Sequence, residues 1–255
     1  MHDFRARLRR GETLLGTLLT LPHPAIAEIA AGAGFDWLFL DAEHGELETR
    51  ELAAILRAVD HRVPCVVRVA AAAEVPIKKA LDLGAAGVIV PQVQSAEQAR
   101  EVVRHARYSP RGARGVGLAR AHGYGFGFAD YVATANERIA LIVQVEHERA
   151  VADIDAIVRV DGIDAVLLGP YDLSASLGKM GQVDDPEVVA AIDRVIDCCR
   201  AASMPLGIFG VSAAAVAPYA VRGCTLLVAG VDTLLFGNAA RELKFALAAA
   251  ARGGA

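Results

Sequence analysis

Val143-Gln144-Val145-Glu146, taken with Gly169-Pro170-Tyr171-Asp172 farther along, is the part of the sequence from which the rest can be read. Each follows an apolar run, 141–145 and 165–168, that stops abruptly and gives way to a carboxylate. Runs this short, bounded by polar residues, read as buried strands. A carboxylate at the exit of a buried strand adds nothing to packing. Two of them on neighbouring strands suggest a site of oxygen ligands for a hard metal ion. Upstream, Leu38-Phe39-Leu40 ends in Asp41-Ala42-Glu43-His44, and Cys65-Val66-Val67 ends in Arg68.

Outward from these ends the chain alternates short apolar runs with amphipathic stretches. Strands are expected at 17–21, 37–40, 65–69, 88–90, 141–145, 166–168, 206–209 and 226–229. Helices are expected at 24–31, 48–59, 76–83, 96–106, 129–135, 150–158, 186–202, 213–221 and 232–250. A Gly-rich section, 112–127, interrupts the rhythm, and a loop is expected through Gly181. Gly34, Gly84, Gly162 and Gly223 each lead into an even-numbered strand. That is an echo of a paired module, or simply the way glycine ends helices. Eight strand–helix units without a long linker favour a single-domain (β/α)8 TIM barrel over residues 1–255.

Bulk properties agree. Hydrophobic residues make up 54% of the 255-residue chain and aromatics 5%, so the core is aliphatic, as suits parallel strands buried on both faces. A formal charge of −4 argues against nucleic acid as a partner. Cys65, Cys198, Cys199 and Cys224 lack C-x-x-C spacing, which argues against a disulfide framework or a zinc site. The arginine-rich start is followed by an apolar run and then Pro22-His23-Pro24, not a small-residue cleavage site, so a cytoplasmic protein is expected. No apolar run approaches the ~20 residues of a membrane span.

In a (β/α)8 barrel the strands' C-terminal ends form the active site, and Asp41, His44, Arg68, Glu146 and Asp172 all fall there. Glu146 and Asp172 are the metal candidates, unless they serve as helix caps or turn carboxylates. Gln144 is expected in the interior, orienting a ligand or satisfying a neighbour. Arg68, closing an apolar strand, needs an anionic partner: a substrate oxygen, Asp41 or Asp82. His44 is the natural general acid or base. His23, His122 and His147 are not ranked by pattern. No lysine ends a strand, so a Schiff-base residue is missing, and only Lys179 is placed to reach the mouth.

Several motifs together resemble the HpcH/HpaI family of metal-dependent pyruvate aldolases. They are Phe35-Asp36-Trp37-Leu38-Phe39-Leu40-Asp41-Ala42-Glu43-His44, Val67-Arg68-Val69, Leu81-Asp82-Leu83-Gly84-Ala85, Arg114-Gly115-Val116-Gly117, Gln144-Val145-Glu146, and Gly169-Pro170-Tyr171-Asp172-Leu173-Ser174-Ala175-Ser176. The resemblance implies a class II aldolase that cleaves or forms 4-hydroxy-2-keto acids, with pyruvate as enolate donor and an aldehyde as acceptor. It implies that Glu146 and Asp172 hold a divalent metal, Mg²⁺ or Mn²⁺, with Co²⁺ or Zn²⁺ as further options. By the same likeness Arg68 faces the keto oxygen, and His44, positioned by Asp82, handles protons while Asp41 supports the site. Backbone amides near Tyr171 and Asp172, after Gly169, take the carboxylate. It also implies a homo-oligomer, a hexamer built as a trimer of dimers, whose last helix packs on a neighbouring subunit. The stripe Leu234, Leu235, Leu243 and Phe245 suits that role or would cover the chain's own barrel. Leu18, Phe209 and the section 120–127 depart from the family pattern, and they are expected to shape the acceptor side. Two alternatives stay open. An acyl-CoA lyase of the citrate-lyase-β or malyl-CoA-lyase type would want a longer, basic C-terminal region than Arg252-Gly253-Gly254-Ala255. A non-catalytic barrel binding protein would have lost a site residue, and none is lost.

Overall fold

The computed structural model describes residues 3–252, so the final Gly253-Gly254-Ala255 of the tail lies outside the described residues. Eight parallel strands close in chain order: β1 (Leu14–Leu19), β2 (Trp37–Asp41), β3 (Cys65–Arg68), β4 (Gly87–Val90), β5 (Ala140–Val145), β6 (Ala165–Leu168), β7 (Leu206–Gly210) and β8 (Leu226–Val231). The helices are α1 (Phe4–Arg9), α2 (Pro24–Gly32), α3 (Thr49–Val59), α4 (Glu74–Asp82), α5 (Ala96–Ala106), α6 (Phe128–Arg138), α7 (Glu148–Ala152), α8 (Ile154–Ile157), α9 (Pro170–Ser176), α10 (Pro186–Ala201), α11 (Ala213–Ala220) and α12 (Asp232–Arg252). The chain is a (β/α)8 barrel.

Side chains of a strand alternate between its two faces, and that alternation builds two cores. Trp37, Phe39, Val66, Ile89, Ile142 and Leu167 fill the barrel's interior. Their neighbours Leu38, Leu40, Val67, Val88, Val143 and Val166 face the helices. Gly16 makes room for Trp37: a Cβ there would lie 2.6 Å from the indole ring. Gly34, Gly84, Gly162 and Gly223 all carry φ between +88° and +99°, so each leads into its strand through a conformation that disfavours any other residue.

Four elements differ from the sequence reading. The first strand starts and ends earlier than 17–21, because the apolar run 14–21 carries no internal mark of register. Its end is set at long range, where the N–H groups of Thr20 and Leu21 donate to the Asp232 carboxylate, each at 2.9 Å. The arginine-rich start forms α1, which closes the bottom of the barrel with Phe4 against Trp37 and with Arg5 on buried Asp164 at 2.7 Å. The loop expected after the sixth strand begins with α9, whose Pro170 occupies the favoured first helical position. The helix expected over 150–158 is broken at Asp153 into α7 and α8, because the Asp153 carboxylate accepts the Ala96 N–H at 2.6 Å.

Leu234, Leu235, Leu243 and Phe245 are exposed, so within one chain α12 does not cover its own barrel. Its main contacts are with β1 and β8, where it begins. No helix among the described residues is long and apolar enough to cross a membrane.

Candidate active site

The register of β2 on β3 places Asp41 opposite Arg68. Both side chains share the interior parity of Phe39, so they meet at the top of the barrel. Asp41 Oδ1 accepts from Arg68 Nε at 2.9 Å, and Oδ2 accepts from Nη2 at 2.6 Å. The ring of Phe39 lies 5.3 Å beneath the guanidinium. Asp41 Oδ1 also accepts the N–H groups of Glu43 at 3.1 Å and His44 at 3.3 Å, which folds the loop after β2 back over the strand end. Burial works against the Arg68 charge. Its bonds to Asp41 and the charges of Asp41, Glu43 and Glu146 outweigh that, leaving the guanidinium more basic than usual. Nη1 has no acceptor among the described residues.

On β5 the same alternation turns Gln144 and then Glu146 inward. Both are buried, and Gln144 Nε2 donates to Glu146 Oε2 in a short contact. Glu146 Oε1 accepts the Gln92 N–H at 2.8 Å, and Gln92 holds the left-handed φ of +56° that aims this donor. Burial pushes the Glu146 carboxyl up to about 7, and the charges of Glu43 and Asp172 push the same way. Asp172 stands exposed in the first turn of α9 and makes no cap bond there, since the N-cap is Gly169. Gly169 supplies space: a Cβ would come within 2.9 Å of the Glu146 Cβ and 3.0 Å of its Oε2.

This donor set fits a hard divalent cation. Asp41, Glu43 and Glu146 gather around one guanidinium, Asp172 acts on the charges of Glu43 and Glu146, and Gln144 Oε1 is buried with no hydrogen-bond partner. Among the described residues no three His, Cys, Asp or Glu side chains form a ready-made cage. An ion held by Glu146 and Asp172 would therefore keep most of its coordination for water and substrate, as is usual for Mg²⁺.

His44 is 69% exposed at the mouth, with Nε2 3.7 Å from Glu43 Oε2. Asp82 does not join it. It lies at the C-terminal end of α4, toward the barrel's opposite face, and pairs with Arg114 at 2.6 Å. Asp82 is therefore neither the partner of Arg68 nor, within one chain, the partner of His44. Phe209 sits half-buried on β7 above the interior core, and Tyr171 is exposed on α9. The section 120–127 lies away from the mouth, with Arg120 bound to Asp60 and to the Leu83 carbonyl at the far ends of α3 and α4. His122 is buried there, its Nδ1 accepting the Gly125 N–H at 3.0 Å and its Nε2 lying 2.8 Å from the Gly117 carbonyl, to which it donates. His23 and His147 are N-caps of α2 and α7. Lys179 is held by Asp185 and Glu187. Glu43 is the residue that pattern reading left without a role. Its only signal was its place between Asp41 and His44.

Known proteins share this chain's sequence and fold over most of its length. The model of the HpcH/HpaI aldolase/citrate lyase family matches residues 15–239. A hydroxypyruvate/pyruvate aldolase of Pseudomonas aeruginosa is 42% identical over 95% of this chain and 91% of its own. A 4-hydroxy-2-oxovalerate aldolase of Novosphingobium aromaticivorans is 41% identical over 95% of this chain and 93% of its own. The crystal structure of a family protein from Burkholderia cenocepacia J2315 superposes with a TM-score of 0.93 at 36% identity, covering 97% of this chain and 99% of that one. The chain belongs to the HpcH/HpaI aldolase/citrate lyase family.

Proposed function

We propose that this protein is a divalent-metal-dependent class II aldolase that cleaves or forms 4-hydroxy-2-keto acids, with pyruvate as enolate donor and an aldehyde as acceptor. One observation carries the reading: the buried Glu146 carboxylate, with Asp172 beside it in charge, shares the barrel mouth with an Arg68 whose Nη1 is unused. A metal held by Glu146 and Asp172 would supply Lewis-acid polarisation of the 2-keto group. Gln144 and the Gln92 N–H orient the Glu146 carboxylate. Arg68, fixed by Asp41 on two atoms, presents its free N–H groups to the keto oxygen, where negative charge develops. In the cleavage direction His44 takes the 4-hydroxyl proton as the C4 carbonyl forms. The C3–C4 bond breaks, its electron pair forms the pyruvate enolate, and protonation at C3 completes the turnover. The amides at the start of α9, around Tyr171, are the proposed seat of the substrate carboxylate, and Phe209 borders the acceptor side.

The protein is further proposed to work as a homo-oligomer, a hexamer by the family likeness, with the exposed apolar face of α12 seated on a neighbouring copy. Its cysteines are free thiols, in keeping with a reducing cytoplasm.

The test is incubation with pyruvate in D₂O, first metal-free and then with Mg²⁺ or Mn²⁺, following the methyl signal by NMR. Metal-dependent loss of the methyl protons, abolished by Arg68→Ala, is the expected result. No exchange with any divalent metal would sink the pyruvate-enolate reading.

A further inference from the structure

The groups proposed to bind the donor stand on one arc of the barrel: Arg68 ends β3, Glu146 follows β5 and Asp172 follows β6. Closure in chain order leaves β7, β8 and β1 across from them, where Phe209 and Leu18 pack on the interior core. A buried charge stands on that far arc. Asp232, directly after β8, is 6% exposed. Its carboxylate accepts four hydrogen bonds, all from neutral donors. Oδ1 takes the Thr20 hydroxyl and the Thr233 N–H, each at 2.8 Å, and Oδ2 takes the Thr20 and Leu21 N–H groups, each at 2.9 Å. A carboxylate has about four acceptor sites, so none is left for a substrate. The strand departs from regular pairing to put it there. Gly16 pairs with Val228 but Leu18 with Val231, so β8 carries one extra residue, and Gly230 within it takes a φ of +81°. A bulge of this kind re-aims the side chains beyond it. Val231 packs against the interior core, and Asp232 is turned onto the exit of β1.

We infer that Asp232 is a positioning residue for the acceptor side, holding Thr20 and Leu21 where β1 opens into the mouth and so fixing the wall that the aldehyde meets. This rests on the aldolase reading above. A carboxylate that only started α12 would bond within its own turn, as this one does to Thr233. Its other three bonds reach back 211 and 212 positions along the chain to the mouth loop. Thr20 continues the alternation of Leu18, so the loop held in this way carries on the inward face of β1. Fixing that loop before the aldehyde arrives removes motion that binding would otherwise have to freeze.

The experiment compares Asp232→Asn and Thr20→Val with wild type, each as the full-length, metal-loaded protein. Aldol addition of pyruvate is read on whichever of acetaldehyde, glycolaldehyde and benzaldehyde wild type takes fastest. Deuterium exchange into pyruvate reports the donor half, and amide hydrogen exchange by mass spectrometry reports the loop. Asp232→Asn is expected to raise KM for the aldehyde about tenfold, with kcat within about threefold and pyruvate exchange within about twofold of wild type. Amide exchange over 17–23 should quicken about tenfold. Thr20→Val loses one of the four bonds and keeps the side chain's shape, so it should move the aldehyde KM and the loop the same way by a smaller factor, and it carries the test if Asp232→Asn folds poorly. An unchanged aldehyde KM, equal losses in aldol addition and pyruvate exchange, or faster amide exchange confined to α12 would each overturn the proposal. A wild type that exchanges no pyruvate protons, or adds to none of the three aldehydes, would instead bring down the aldolase reading, and this proposal with it.

Discussion

Replacing Glu146 by Gln in the metal-free protein should make the fold more stable. The Glu146 carboxyl is raised from its ordinary 4.5 to about 7, first by burial and then by the charges of Glu43 and Asp172. A carboxyl whose folded pKa lies above its unfolded one contributes stability that is fully present below the unfolded value. That contribution is lost as pH rises through the folded value. At 1.36 kcal/mol per pKa unit, the raised Glu146 carboxyl costs the fold roughly 3 kcal/mol at pH 8, where it is held ionised, and about 1 kcal/mol at pH 5, where it folds protonated while the unfolded chain ionises. Gln carries no charge and so avoids this cost. It still offers an oxygen to the Gln92 N–H, and Gln144, by turning its amide, can present its unpartnered Oε1 to the new NH₂. Denaturant unfolding in a chelator should therefore favour the variant by about 3 kcal/mol at pH 8, with the advantage shrinking to about 1 kcal/mol at pH 5. Added Mg²⁺ should reverse the order at pH 8, because only wild type gains binding energy, about 4.1 kcal/mol at a thousandfold excess over Kd. A variant less stable than wild type in chelator at pH 8, or an advantage independent of pH, would refute the view that this site holds a carboxylate charged at a cost.

Gly169→Ala adds one methyl group where the Glu146 side chain passes at 2.9 Å, so it should lose about 1–3 kcal/mol in thermal or denaturant unfolding and weaken Mg²⁺ binding measured by calorimetry. Asp41→Ala leaves Arg68 without the partner that holds two of its nitrogens; unfolding should cost about 3 kcal/mol, and pyruvate exchange should be lost even at high metal. Leu243→Asp with Phe245→Asp changes only exposed positions of α12. Light scattering should show a smaller assembly while circular dichroism stays that of the intact barrel, and an unchanged mass would refute α12 as the docking element.

Much of this architecture was legible because parallel-sheet physics writes itself into composition. Strands buried on both faces must be continuous apolar runs, and helices returning over them must be amphipathic, so the sequence pattern over 96–106 has the same bounds as α5. The strand ends were legible for the same reason in reverse. Asp41, Arg68 and Glu146 interrupt apolar runs at no benefit to packing, and the barrel's geometry sends all such ends to one face. Less legible were elements whose bounds rest on distant partners. The first strand ends where Asp232 reaches across from the end of β8. The α7–α8 break answers to the N-terminus of α5.

The sequence by itself determined the barrel, its mouth and the residue types gathered there, since periodicity and the polarity of strand ends are local properties of the chain. Only the tertiary structure decided who pairs with whom. Strand register put Asp41 on Arg68. The return direction of α4 carried Asp82 away to Arg114. Pairing depends on strand register, on which face a residue points to and on the direction of the helix that carries it, and no one of these is fixed by a residue's neighbours along the chain.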